Sequence, residues 1–394
     1  MSDPVALVLR DGLVFDGTVA PPRVRDVWIV DGRIVAPGAA PVGREESAAR
    51  LVIGPGLIDA HVHLCLDETP EPLIAFRAAS PQTLAALMRA HAARTLAAGV
   101  TTVRDLGAPT ALILNLRDEV NTAIDRGAAI GPRIVASGAP VTSPDGHVHE
   151  MGGAARGSAE IREAVRARAA AGVDVIKVMA TGGGSSPQTD PRACQFDDDE
   201  FAALADAAAT AGLPVACHAH ADAGIAQAVR AGVRTIEHGS YASEASLRAM
   251  AVQGIALVPT LAPAVAALAQ DLPPARRAAV IERFEARQAA VCAAHRVGVP
   301  LAAGTDAGVA FTSHGSVAAE VIALARCGLP VEVALASAWH HAAHALRRLD
   351  LGTLVPGALA DLIVLDDDPR ADLRTLTRPR AVMVAGQWVW RDTR

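Results

Sequence analysis

A chain of 394 residues has room for one large domain with an accessory piece, or for two or three ordinary ones, and 51% apolar against 20% charged residues describe a globular protein with a full core. A formal net charge of −6 without any lysine- or arginine-rich block argues against attraction to a phosphate backbone, so nucleic acid is not an expected partner. No uncharged apolar run reaches the roughly 20 residues of a membrane span, and "MSDPVALVLRDG" has neither the basic start nor the apolar stretch of a signal peptide, so a cytoplasmic protein without membrane contact is expected.

Residues 5 to 53 read as short strands, "VALVLRDGLVFDG" and "VRDVWIVDGRIVAPG", with Asp-Gly pairs starting at 11, 16 and 31 as hairpin signals. The carboxyl end repeats the style in "DLIVLDDDP" and "AVMVAGQWVW". One small β-sandwich domain built from both termini, 1–54 plus 355–394, is the expectation. From 55 to 354 the rhythm changes to apolar strand followed by alanine-rich helix. The candidate strands are "LIDAHVHL", "VTTVRDLG", "RIVASG", "VDVIKVMATG", "LPVACHAH", "VRTIEHG", "IALVPT" and "VPLAAGTD". Eight such repeats predict an α/β fold, a (β/α)8 TIM barrel, whose chemistry gathers at the carboxyl ends of its strands.

The chemistry-bearing residues fall where that rule requires. The first strand ends in His61 and His63, whose i,i+2 spacing puts both rings on one face. The fourth carries Lys177, the fifth ends in His218 and His220, the sixth in His238 and the eighth in Asp306. A lone HxH pair is more often a surface feature than a ligand set. In register with His218, His238 and Asp306 it reads as a metal centre. Imidazole and carboxylate without thiolate suit a borderline divalent ion, with zinc the default. The five cysteines show no CxxC pairing, which argues against a disulfide framework and a thiolate site alike; Cys65 and Cys217 neighbour ligands at the wrong spacing and are expected to be buried apolar groups. Asp59 and Glu237 have the opposite strand parity, which suits support behind the ligands. Arg104 and Asp105 are expected to pair with each other.

Lys177 is the single lysine among 36 basic side chains. A neutral amine can take up carbon dioxide and become a carbamate whose two oxygens bridge two cations; a guanidinium stays protonated and cannot. An ordinary ion pair would be served equally well by arginine. Two divalent metal ions and a carboxylated Lys177 are therefore expected together.

In order and spacing, "GLIDAHVHL", "VIKVMATGG", "LPVACHAH", "TIEHGS" and "GTDAG" resemble the amidohydrolase superfamily, and the closing "LGTLVPGALADLIVLD" is also similar to it. "SGAPVTSPDGHVHEMGG", "TDPRACQF" and "IEHGSY" resemble its imidazolonepropionase-related branch, which includes binuclear Xaa-Pro and Xaa-Arg dipeptidases and ochratoxin-type amidases. The resemblance implies that His61 and His63 hold the more buried metal with Asp306, that His218 and His238 hold the second, and that Lys177 bridges them. His220 is then free for substrate. It also implies that Tyr241, the only tyrosine, donates to the oxyanion, and that Asp306 carries a proton from a shared, metal-acidified water to the leaving nitrogen. His147 and His149 lie in the loop after the third strand, where they either close over substrate or face solvent. "PDGHVHEMGG" and "ASAWHHAAHAL" depart from the family's usual "GGH" and "ATRNAA" and could reshape the pocket. His91, His295, His340, His341 and His344 fall on helices and are expected to pack there, with His314 a lesser substrate candidate.

The implied activity is hydrolysis of an amide in a small-molecule substrate such as a dipeptide or N-acyl amino acid, by a protein expected to be a homo-oligomer. Hydrolysis of a cyclic amide, lactone or imidazolone-like ring is the alternative. Deamination is disfavoured by Lys177, since deaminases of this type lack a bridging lysine. A metal-binding protein that has lost catalysis would not need the bridge, the aspartate and the tyrosine together.

Overall fold

The computed structural model describes residues 5–186 and 188–391. Strands from the two ends of the chain share one eight-stranded sheet: Leu362–Leu365 lies antiparallel to Val52–Pro55, which lies parallel to Ala6–Val14. Its apolar side chains, among them Val27, Ile29, Ile53, Leu362 and Met383, form a buried cluster of their own. The Asp-Gly signals resolve differently. Asp31 and Gly32, both at positive φ, make the tight turn between Arg23–Val30 and Arg33–Val35. Asp11-Gly12 instead makes a register shift inside the continuous strand Ala6–Val14.

Between these strands the chain forms a (β/α)8 barrel. Its first three strands, Leu57–Val62, Val100–Asp105 and Arg133–Ala136, pair in parallel. So do the fourth to seventh, Ile176–Met179, Val215–Ala219, Thr235–His238 and Ala256–Val258. Backbone hydrogen bonds join the two ladders. Val141 N donates to Lys177 O (2.8 Å) and Met179 N to Val141 O (2.9 Å), linking the segment after the third strand to the fourth.

On the other side the eighth position closes the ring without a regular strand. Leu257 N donates to Pro300 O (2.9 Å), Ala60 N to Ala303 O (2.9 Å) and Asp306 N to His61 O (2.7 Å). Pro300 has no N–H for a ladder and Gly304 no side chain to stiffen one, so only isolated bridges form at Leu301 and Ala307. A Cβ on Gly304 would stand 2.9 Å from His61 Cβ and 2.5 Å from Val258 Cγ1, so the missing side chain is what lets the eighth segment lie against the first strand.

The helices start and stop where local chemistry directs. Ser80 caps Pro81–Ala97 by accepting from Thr83 N, and Asp197 with Glu200 forms a capping box on Asp198–Thr210. Gly172, Gly254 and Gly298 end three helices in the left-handed conformation. Among the described residues no helix is long and apolar enough to cross a membrane.

Candidate metal centre and substrate cleft

The barrel's carboxyl end carries a cavity of about 220 Å³ lined by His147, His218, His220, His238, Asp306 and Arg287, with further residues at its mouth. Parallel pairing brings these histidines to one level: His218 lies opposite Glu237, and Ala219 opposite His238. The rings are in mutual contact, with centroids 4.6 Å apart for His218 and His238, 4.8 Å for His220 and His238, and 5.3 Å for His61 with both His63 and His238.

Each ring is held by one nitrogen and has the other available. His61 Nδ1 donates to Glu237 Oε2 (2.9 Å), and its Nε2 lies 3.4 Å from Asp306 Oδ1. His63 Nδ1 donates to Gly107 O (3.0 Å), with Nε2 3.2 Å from the same oxygen. His218 uses Nε2, which donates to Gly182 O (3.0 Å), while His238 and His220 use Nδ1, paired with Thr260 Oγ1 (2.6 Å) and Ser240 Oγ (2.8 Å). Anchoring one nitrogen fixes the tautomer and points the other as a ligand. Two triads of ligand atoms fall within 4.8 Å of one another: His61, His238 and Asp306, and His218, His220 and His238. His220, expected to serve substrate, thus also stands at ligand distance.

Four of the five rings are held in the neutral form that a metal ligand needs. Burial pushes the imidazolium of His61 down to about 4 and holds His218, His220 and His238 well below their ordinary value, so these rings are neutral at neutral pH. Burial also opposes charging His63, but the hydrogen bond to the Asp306 carboxylate outweighs it and raises this ring. For Asp306 itself burial would favour the acid; His61, His63 and Lys177 overcome it and keep the carboxylate ionised. His238 and Asp306 both sit at positive φ (70° and 55°), as does Thr260 (51°), so the backbone carries strain where the last three strands end.

Lys177 is 1% exposed, and its Nζ has no hydrogen-bond partner among the described residues. Burial lowers the amine to about 8, with Glu237 and Asp306 pulling the other way. Behind the ligands, Glu237 accepts from Arg104 Nη2 (3.0 Å) as well as from His61, and Asp59 accepts from Thr305 N (2.9 Å) and Oγ1 (2.6 Å) beside Asp306. Arg104 and Asp105 do not pair with each other, because neighbours on a strand face opposite ways: Asp105 accepts from Leu64 N and Gly107 N instead. Cys65 and Cys217 are buried, at 1% and 0% exposure.

Other expected residues divide. His147 is at the cavity wall, its ring 4.5 Å from that of His218 and its Nδ1 3.1 Å from Ser186 Oγ. His149 is turned away, with Nδ1 donating to Gly146 O (3.0 Å) in a short 3-10 turn. Tyr241 stands on the rim rather than in the cavity: its hydroxyl donates to Glu282 Oε1 (3.0 Å), and Arg192 lies 4.0 Å over its ring. His314 is outside the cavity, stacked on His91 at 4.1 Å next to Glu68, which is itself paired with Arg94. One contributor went unread in the sequence. Arg287, 8% exposed on the helix Pro274–Val297, reaches into the cavity floor, where it donates to Ser240 Oγ and to Thr260 O. Its signal was the spacing of Arg276, Arg283 and Arg287, which share one face of a helix.

The chain is similar to several known proteins. Ochratoxinase of Aspergillus niger is 30% identical over 367 residues, covering 84% of this chain and 73% of the relative. Imidazolonepropionase of Ectopseudomonas mendocina is 29% identical over 412 residues, covering 92% of each chain. A crystal structure of a Xaa-Pro dipeptidase with methionine bound in the active site superposes with a TM-score of 0.86 at 28% identity, over 98% of this chain and 100% of that one. Residues 52–389 match the model of the amidohydrolase family, and the chain belongs to that family of hydrolytic enzymes.

Proposed function

We propose that the protein is a binuclear metal-dependent hydrolase that cleaves the amide bond of a small substrate, of the dipeptide or N-acyl amino acid kind. The observation that carries this reading is Lys177, a buried amine without a partner in a ring of anchored histidines. An orphaned ammonium would be costly there, whereas a carbamate between two cations would not. The neutral amine adds to carbon dioxide, forming an N–C bond and releasing a proton. His61, His63 and Asp306 would hold one ion, His218 and His238 the other, and the Lys177 carbamate would reach both. The nitrogen and oxygen donor set fits zinc.

When bound, such ions acidify a water and polarise the scissile carbonyl. Asp306 would take a proton from the attacking water and deliver it to the leaving nitrogen as the C–O bond forms and the C–N bond breaks. His147 and His220, neutral through burial and each anchored at Nδ1, present Nε2 to the substrate. The amino acid bound in the related dipeptidase structure supports a substrate of this size.

The test is metal analysis together with turnover on a panel of dipeptides and N-acyl amino acids. About two ions per chain and release of a free amino acid are expected. A fully loaded protein that turns over no amide would sink the reading.

A further inference from the structure

The cavity over the metal centre is basic in a way the metal ligands do not explain. Arg287 is a buried guanidinium whose hydrogen bonds among the described residues go only to Ser240 and Thr260, with no carboxylate of those residues at ion-pair distance. One turn back on the same helix, Arg283 lines the cavity and makes no hydrogen bond or ion pair among the described residues. Its guanidinium reaches across to the loop after the fourth strand, where a Cβ on Gly184 would stand 3.6 Å from Nη2. Among the described residues the one carboxylate in the wall is Asp306, already engaged by His61 and His63. Buried cations normally have counter-ions in contact; here Asp306 and Glu320 act on Arg287 only from beyond ion-pair distance, and no carboxylate among the described residues touches either arginine.

Outward, the cavity shares Gly184, Ser185, Arg276 and Ala310 with a second chamber of about 390 Å³, so the two form one cleft. Pro70, Pro72, Leu73 and Ile74 make the outer wall apolar. Its charged residues are Glu71, Arg77 and Arg276. Glu71 is exposed, and water screens whatever it offers. The cleft therefore has a cationic floor beside His220 and His238 and an apolar mouth.

Resting on the amide-hydrolase reading, we propose that Arg287 and Arg283 clamp the carboxylate of the amine-side residue, and that the mouth takes an uncharged acyl group. The substrate class is then an N-acyl amino acid with an apolar acyl part, in preference to a dipeptide, whose free ammonium would have to lie against the proline and leucine wall. The two arginines bind and position; they do not exchange protons.

Three substrates that share one amino acid decide it: the N-acyl amino acid, its C-terminal carboxamide, and the dipeptide with a free amino end. With the metal-loaded enzyme, kcat/KM should fall about 100-fold for the carboxamide, as when one partner of a buried charge pair is removed. The dipeptide should be poorer than the acylated compound by at least about 10-fold. In Arg287→Met the carboxamide penalty should shrink to a few-fold. Arg283→Gln, at a half-buried position that the core does not need, gives the same reading should Arg287→Met fail to fold. Equal cleavage of acid and carboxamide, a preference for the dipeptide, or a penalty untouched by both variants overturns the proposal and leaves amide hydrolysis standing. Absence of turnover on every amide removes both.

Discussion

His61 and Glu237 are joined across the barrel by a 2.9 Å hydrogen bond from Nδ1 to Oε2, while Arg104 holds the other carboxylate oxygen at 3.0 Å. Burial alone would raise the Glu237 carboxyl, but Arg104 and His61 outweigh it and bring it down to about 2, so it is a permanent anion behind the ligand. That anion fixes which nitrogen of His61 is free for metal and makes it more basic. Glu237→Gln is expected to weaken metal affinity by about 10- to 100-fold, read by competition with a chromogenic chelator. Unchanged affinity would mean that His61 needs no orienting partner.

Lys177 tests the bridge directly. Lys177→Arg keeps a cation but cannot form a carbamate, so loss of binuclear metal binding and of activity is expected. Lys177→Ala leaves room for a small carboxylate, and formate or acetate should restore part of the metal content and turnover. An arginine variant with full activity and two metals would end the carbamate argument.

Gly304 is where the eighth segment touches the first strand. In Gly304→Ala the new Cβ would meet His61 N at 3.0 Å and His61 Cβ at 2.9 Å, and backbone cannot swing aside as a flexible side chain can. The strand must shift, taking His61 and the Ala60 to Ala303 hydrogen bond with it. A loss of about 1–3 kcal/mol in denaturant unfolding, accompanied by weaker metal binding, is expected. A stability loss with metal affinity intact would show that His61 tolerates the movement.

The placements legible in the sequence are those that follow from strand parity. His61 and His63 share a face because the side-chain period is two, whereas Glu237 supports His61 from across the barrel. The alanine-rich stretches became the helices Pro81–Ala97 and Asp198–Thr210 because their caps are local. What could not be read depends on distant partners. Tyr241 is close to His238 in sequence, but Glu282, on a helix 41 residues further on, decides where its hydroxyl points. Arg287 enters the cavity only because the helix Pro274–Val297 lies across the sixth and seventh strand ends, a placement no local pattern encodes. Asp11-Gly12 carries a turn signal, yet pairing with Arg23–Val30 absorbs it as a shift in register.

His341 supplies a pH dependence away from the metal centre. Its Nδ1 is buried without a partner among the described residues, and burial, helped by the neighbouring His340, lowers the imidazolium to about 4. Between pH 6.5 and 4 the unfolded chain therefore binds a proton at this position that the folded chain does not. By linkage, stability rises with pH through that window and is lost as the solution is acidified, with a ceiling of about 3 kcal/mol for this one group. His341→Gln removes the proton site from both states. Its urea midpoint is expected to fall less than that of the unsubstituted protein between pH 7 and pH 4.5. The other buried histidines titrate in both proteins, so they cancel in the difference between the two slopes. Parallel slopes would show that His341 charges in the folded state as readily as in the unfolded one.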